Sequence, residues 1–163
     1  MTAFTWQVIA FVPSHFYFVC MTRTIPLFLG VNAVLFAAFA VGAFAMPAPF
    51  AAMLDITLTT PTALADFRAV YGGLSFGIAA FAIIGIRQPK VTLSAVWLLT
   101  LVMDGLIIGR LISTVVSGPG NFLIFGQLGL ELFAAAWGLL LIRASRAAQG
   151  VQLSSNTASP VGA

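Results

Sequence analysis

Residues 66–86 read DFRAVYGGLSFGIAAFAIIGI. After Arg68 no charged side chain appears until Arg87. A helix needs about 20 mostly apolar residues to cross a hydrocarbon core, and the stretch from Ala63 to Ile86 supplies them. The rest of the chain is built the same way. Of its 163 residues, 61% are hydrophobic and 7% are charged, against about 25% charged in soluble domains. A domain of this size keeps most residues near its outside. So much apolar surface therefore calls for a bilayer as solvent.

Three more runs have spanning length: 25–46, 91–116 and 122–142. The expected fold is all-α, an integral membrane four-helix bundle over residues 23–146. Residues 47–62 (PAPFAAMLDITLTTPT) hold three prolines and Asp55, and read as a loop with at most one interfacial turn. Thr60-Pro61 suits a helix start, a hydroxyl cap followed by proline in the first turn. Arg87-Gln88-Pro89-Lys90 and Ser117-Gly118-Pro119-Gly120-Asn121 read as tight polar turns. Residues 147–163 are small and polar, and are expected to form a disordered tail.

Residues 1–22 are apolar but broken by Pro13, Ser14 and His15. Three explanations stay open for them: a misplaced start upstream of Met21, an interfacial helix, or a fifth span. Ala43-Phe44-Ala45 has the look of a signal-peptidase site. The apolar run before it exceeds the roughly 7–15 residues of a signal core, which favours a retained anchor. The single cysteine, Cys20, rules out an intrachain disulfide and reads as an inert apolar side chain.

Basic residues set the topology. Arg23, Arg87, Lys90, Arg143 and Arg146 flank the spans on one side, and the other two loops carry no Lys or Arg. By the positive-inside rule both termini are expected in the cytoplasm, with the other two loops outside. Lys and Arg neither gather on one face nor alternate with aromatics, so nucleic acid is not an expected partner. The expected company is the bilayer, together with a homo-oligomer or a membrane-protein partner.

The few polar groups inside the spans are the candidate site. At 1.5 Å per residue, Arg68 lies about 8 Å into its span, Arg110 about 9 Å and Glu131 about 13 Å from the same surface. Asp104 lies near the midplane. A charge at mid-span costs about 2.5–3.5 kcal/mol on insertion scales, so these groups must face one another or a wet cleft. Helical spacing agrees: Arg68, Tyr71, Gly72 and Ser75 share one stripe, Arg110, Ser113, Thr114 and Ser117 a second, and Gln127 and Glu131 a third with Ala134, Ala135 and Gly138. The candidate pocket or ion-pair network is Arg68, Tyr71, Ser75, Asp104, Arg110, Gln127 and Glu131. Ala69, Gly73 and Gly77, with Ala65, form a small-residue row at four-residue intervals. Gly105 and Gly109 form GxxxG. Both rows are expected to pack helix on helix.

No catalytic, metal or cofactor motif is present. His15 is the only histidine, so a paired-histidine haem, a zinc site of Cys/His spacing and a serine–histidine arrangement all lack their parts. No cofactor is expected.

Arg68-Ala69-Val70-Tyr71-Gly72-Gly73, Gly109-Arg110 and Glu131 together resemble the bacterial membrane family of domain of unknown function 4345, over roughly Arg23 to Ile142. The resemblance implies a small four-helix integral membrane protein, similar in general shape to DoxX-like bundles, and implies no activity. Three functional readings follow from the residues. The first is a structural or accessory bundle. The second is a binding or transport module whose polar pocket opens outward to a small molecule or lipid headgroup. The third is an enzyme with Glu131 as general base, for which no catalytic motif speaks.

Overall fold

The computed structural model describes residues 14–120 and 122–157. Among them there is no strand. Six α-helices follow in order: α1 (Ser14–Ala45), α2 (Pro47–Met53), α3 (Pro61–Phe67), α4 (Ser75–Arg87), α5 (Pro89–Ser117) and α6 (Phe122–Thr157). A π-helical segment, Arg68–Leu74, joins α3 to α4 without a break. The result is four rods long and apolar enough to cross a membrane: Arg23–Ala45, Pro61–Arg87, Pro89–Ser117 and Phe122–Gln149. The shortest has 23 residues, about 35 Å at 1.5 Å per residue, against a hydrocarbon core of about 30 Å.

The rods close into a ring. α1 packs on α4 and α6, α4 on α5, and α5 on α6. The core holds Phe28, Leu29, Val96, Leu99 and Thr100, all fully buried. Its surroundings are apolar too, for Val34, Val41, Val115 and Leu140 are each 63% or more exposed. Helices apolar on every side belong in lipid rather than water, and membrane residence is inferred from this composition.

Small side chains decide how close the rods come. A Cβ added at Gly85 would stand 2.5 Å from that of Ala95. One added at Gly138 would collide with the Thr100 hydroxyl. That hydroxyl donates to the Val96 carbonyl at 2.8 Å, so Thr100 is buried without an unmet donor. Beside Gly138, Phe28 and Trp137 meet edge to face with ring centres 5.4 Å apart. The link between α4 and α5 is the single residue Gln88, with Pro89 opening the next helix. The Thr92 hydroxyl donates across it to the Gly85 carbonyl at 2.7 Å.

The expected helix start at Thr60 is present: its hydroxyl accepts from the Ala63 N–H at 3.1 Å, and Pro61 opens the helix. Other boundaries differ. The backbone of α1 is already helical at Ser14 and carries Pro26 in its interior. His15 and Cys20 therefore lie on the same rod as the first span, while residues 1–13 lie outside the described residues. α6 continues as helix to Thr157, through the first part of the stretch expected as a disordered tail. Residues 158–163 lie outside the described residues.

The stretch read as a loop, 47–62, contains the two-turn helix α2. Pro47 opens it. Its end is a Schellman cap, in which the Ile56 N–H reaches the Ala51 carbonyl at 2.9 Å and the Asp55 N–H the Ala52 carbonyl at 3.1 Å. This geometry needs a left-handed residue, and Asp55 provides it with φ 57. α2 is held down by rings: Phe50 lies edge-on to Phe39 at 5.3 Å and to Phe67 at 6.1 Å.

Candidate functional site

The site lies at the end of the bundle where α5 meets α6. Below it, Met103 and Ile107 from α5 and Ala134 and Ala135 from α6 form a dry, buried cluster. One turn above, Arg110 and Glu131 face each other. The Arg110 Nε–H donates to both Glu131 oxygens, at 3.0 Å to Oε1 and 2.9 Å to Oε2. The two partners are unequally sunk: the Glu131 side chain is 9% exposed and that of Arg110 28%. Glu131 is the buried anchor, and Arg110 reaches outward from it. The terminal guanidinium nitrogens make no hydrogen bond among the described residues. The Thr114 hydroxyl donates to the Arg110 carbonyl at 2.8 Å, which turns this polar side chain back onto its own helix.

Arg110 opens into a cleft of about 270 Å³. Its polar lining also includes Tyr71 and Gln127, and its apolar walls are Phe39, Leu54, Ile56 and Ile124. Tyr71 is fixed by stacking on Phe67, ring centres 4.6 Å apart. The turn after α2, including Asp55, forms one rim, and Gly120 of the α5–α6 connection lies on another side. A second, shallower hollow of about 450 Å³ lies over α2 and shares Asp55 and Ile56 with the cleft, but no cation lines it.

Four of the expected residues thus come together: Tyr71, Arg110 and Gln127 on the cleft, and Glu131 behind Arg110. Three do not join them. Arg68 is exposed and has no ion pair or hydrogen bond among the described residues. Ser75 is buried within its own rod's packing face. Asp104 is half-buried, with no described partner. The cause for the second span is the π segment. Its wider turns break the 3.6-residue phase, so positions that share a stripe on a regular helix no longer point the same way.

The small-residue rows are also placed differently from expectation. Ala69, Gly73, Gly77, Gly105 and Gly109 are exposed in the single chain. A Cβ at Gly77, Gly105 or Gly109 would meet nothing within 4 Å. The described glycines that do sit in close approaches are Gly85 and Gly138, with Gly42 against the ring of Phe50, Gly72 against that of Phe44 and Gly120 against Ile124. Two features escaped the sequence reading. One is the cleft wall from Phe39 and the turn after α2, which only tertiary packing creates. The other is Asn32, 3% exposed in α1, whose amide donates to the Phe28 carbonyl at 2.8 Å while its Oδ1 has no partner. An asparagine in the middle of an apolar run was its visible signal.

Among the described residues no group of three or more His, Cys, Asp or Glu side chains is assembled that could hold a metal. Comparison with curated proteins and with solved structures gave no significant match. One family does match, over residues 25–142, which takes in all four spanning rods up to Ile142 and every group of the cleft. By that match the chain belongs to the family described as domain of unknown function DUF4345.

Proposed function

We propose that this protein is a binding module of a bacterial inner membrane, and that the cleft takes the polar head of a small molecule or lipid. The supporting observation is the one-sided ion pair. Glu131 engages Arg110 only through Nε, and Arg110 lines a cleft with apolar walls. A pair meant only to tie α5 to α6 has no need of an adjoining cavity. Both chain ends lie in the cytoplasm under this proposal, because Arg23, Arg87, Lys90, Arg143 and Arg146 flank the opposite end of the rods. The cleft then opens toward the far side of the membrane.

The test is the double variant Arg110→Leu/Glu131→Leu. Replacing a buried ion pair by apolar residues of similar size is often close to neutral for stability. The variant is expected to keep its thermal midpoint in detergent and to lose ligand-induced stabilisation in a screen of amphiphiles. A collapsed midpoint would transfer the pair to a structural role.

A second reading, a structural or accessory bundle that assembles with copies or partners, is supported by a different observation. Gly105 and Gly109 leave open space on the outside of α5, where a second helix could approach closely. Crosslinking in native membranes that yields only the monomer would count against it.

A further inference from the structure

We infer that the occupant of the cleft carries an uncharged hydrogen-bond-accepting head, and that Glu131 sets this preference. The inference rests on the binding reading above and concerns the ligand's class. Among the described residues Arg110 is the only cation lining the cleft. Its charge is already matched by a carboxylate 2.9 Å away. The site therefore offers directed N–H donors without net positive charge. An anionic head bound to the outer edge of the guanidinium would have Glu131 across that same planar group, and repulsion between the two anions offsets the attraction. A cationic head would meet the guanidinium itself. Either ion would also shed water into a site walled by Phe39, Leu54, Ile56 and Ile124, a cost that only an uncommitted counter-charge offsets. A carbonyl, ester or amide oxygen has no such cost, and the N–H donors of Arg110 and the Gln127 amide suit it. The apolar walls then take the chain that follows the head.

Three probes with the same alkyl chain separate the classes: methyl decanoate, decyl sulfate and decyltrimethylammonium. Each is measured as radiolabelled, saturable binding to the full-length protein in phosphatidylcholine nanodiscs, with empty discs subtracted. Methyl decanoate is expected to bind at least about fivefold tighter than either charged probe. Glu131→Gln keeps the side-chain volume and removes the counter-charge. It should tighten decyl sulfate by about tenfold or more relative to methyl decanoate measured on the same variant, the scale of one charge-assisted contact. A wild-type protein that prefers the sulfate or the ammonium overturns the inference and leaves the binding module standing. Unchanged sulfate binding in Glu131→Gln removes Glu131 as its cause. Saturable binding of none of the three takes down both the inference and the binding module. Should Glu131→Gln fail to fold, the wild-type ranking alone decides.

Discussion

The two ends of this bundle are held by different means. At the basic end α4 meets α5 at Gly85 and Ala95, and α5 meets α6 at Thr100 and Gly138. Those contacts are too tight for one more carbon. At the cleft end the same rods are separated by large groups: Phe39, Phe50, Phe67 and Tyr71 in ring contacts, and Arg110 with Glu131. In lipid, close packing rather than escape from water drives helices together. The basic end does this with small side chains, Ala95 and Thr100 against glycine. The cleft end has close approaches of its own, Gly42 on Phe50 and Gly72 on Phe44, but the partners there are rings, and it keeps a cavity lined by Arg110, Tyr71 and Gln127. Tight packing of small side chains and the polar cleft thus occupy different lengths of the same helices.

The contrast can be broken in order of expected effect. Gly138→Leu forces a whole side chain onto Thr100 and Phe28, and should cost about 3 kcal/mol or more, read from the denaturation midpoint in mixed micelles. A small loss there would show that the basic end is loosely packed. Glu131→Ala leaves Arg110 without its counter-charge beside an apolar floor. Because Arg110 reaches the cleft, the expected loss is about 2 kcal/mol, less than for a sealed pair. A loss exceeding that of Gly138→Leu would reverse the division proposed between the ends. Thr60→Ala removes the cap of α3 and should cost about 1 kcal/mol, with faster local hydrogen exchange confined to residues near 61–64 if the cleft end is the softer one. Gly109→Ala should change stability by less than about 0.5 kcal/mol, because nothing stands near it. A larger loss, seen only at protein concentrations where a dimer forms, would show a packed partner on α5.

The four spans were legible because hydrophobic length is nearly sufficient to specify a membrane helix. Thr60-Pro61 marked the start of the second by chemistry that acts locally, whereas Pro89, read as part of a turn, in fact opens α5. The pairing of Arg110 with Glu131 was legible from depth alone, since two opposite charges at similar depth on sequence-adjacent helices have few other places to go. Arg68 was misjudged for a specific reason. Its stripe with Tyr71 and Ser75 assumed 3.6 residues per turn, and the π segment from Arg68 to Leu74 breaks that period. The glycine rows failed differently. Gly85 makes a close contact outside any repeated row, whereas Gly105 and Gly109 fit the GxxxG motif and face outward. Small residues alone do not report which side of an apolar rod meets a neighbour; on α6 the stripe of Glu131, Ala134, Ala135 and Gly138 does, and it is buried. α2 was hidden because it is short and proline-rich. Its stability comes from Phe50 against Phe39 and Phe67, a tertiary contact.

The one-residue link between α4 and α5 has a mechanical meaning. With Gly85 seated on Ala95 and Thr92 bonded back across Gln88, these two rods are pinned together at their basic end. Any widening of the cavity at Arg110 must then come from the opposite ends swinging apart or from the longer tether between α1 and α3 lifting away. The molecule is built like tongs, fixed at the pivot and free to part only at the tips.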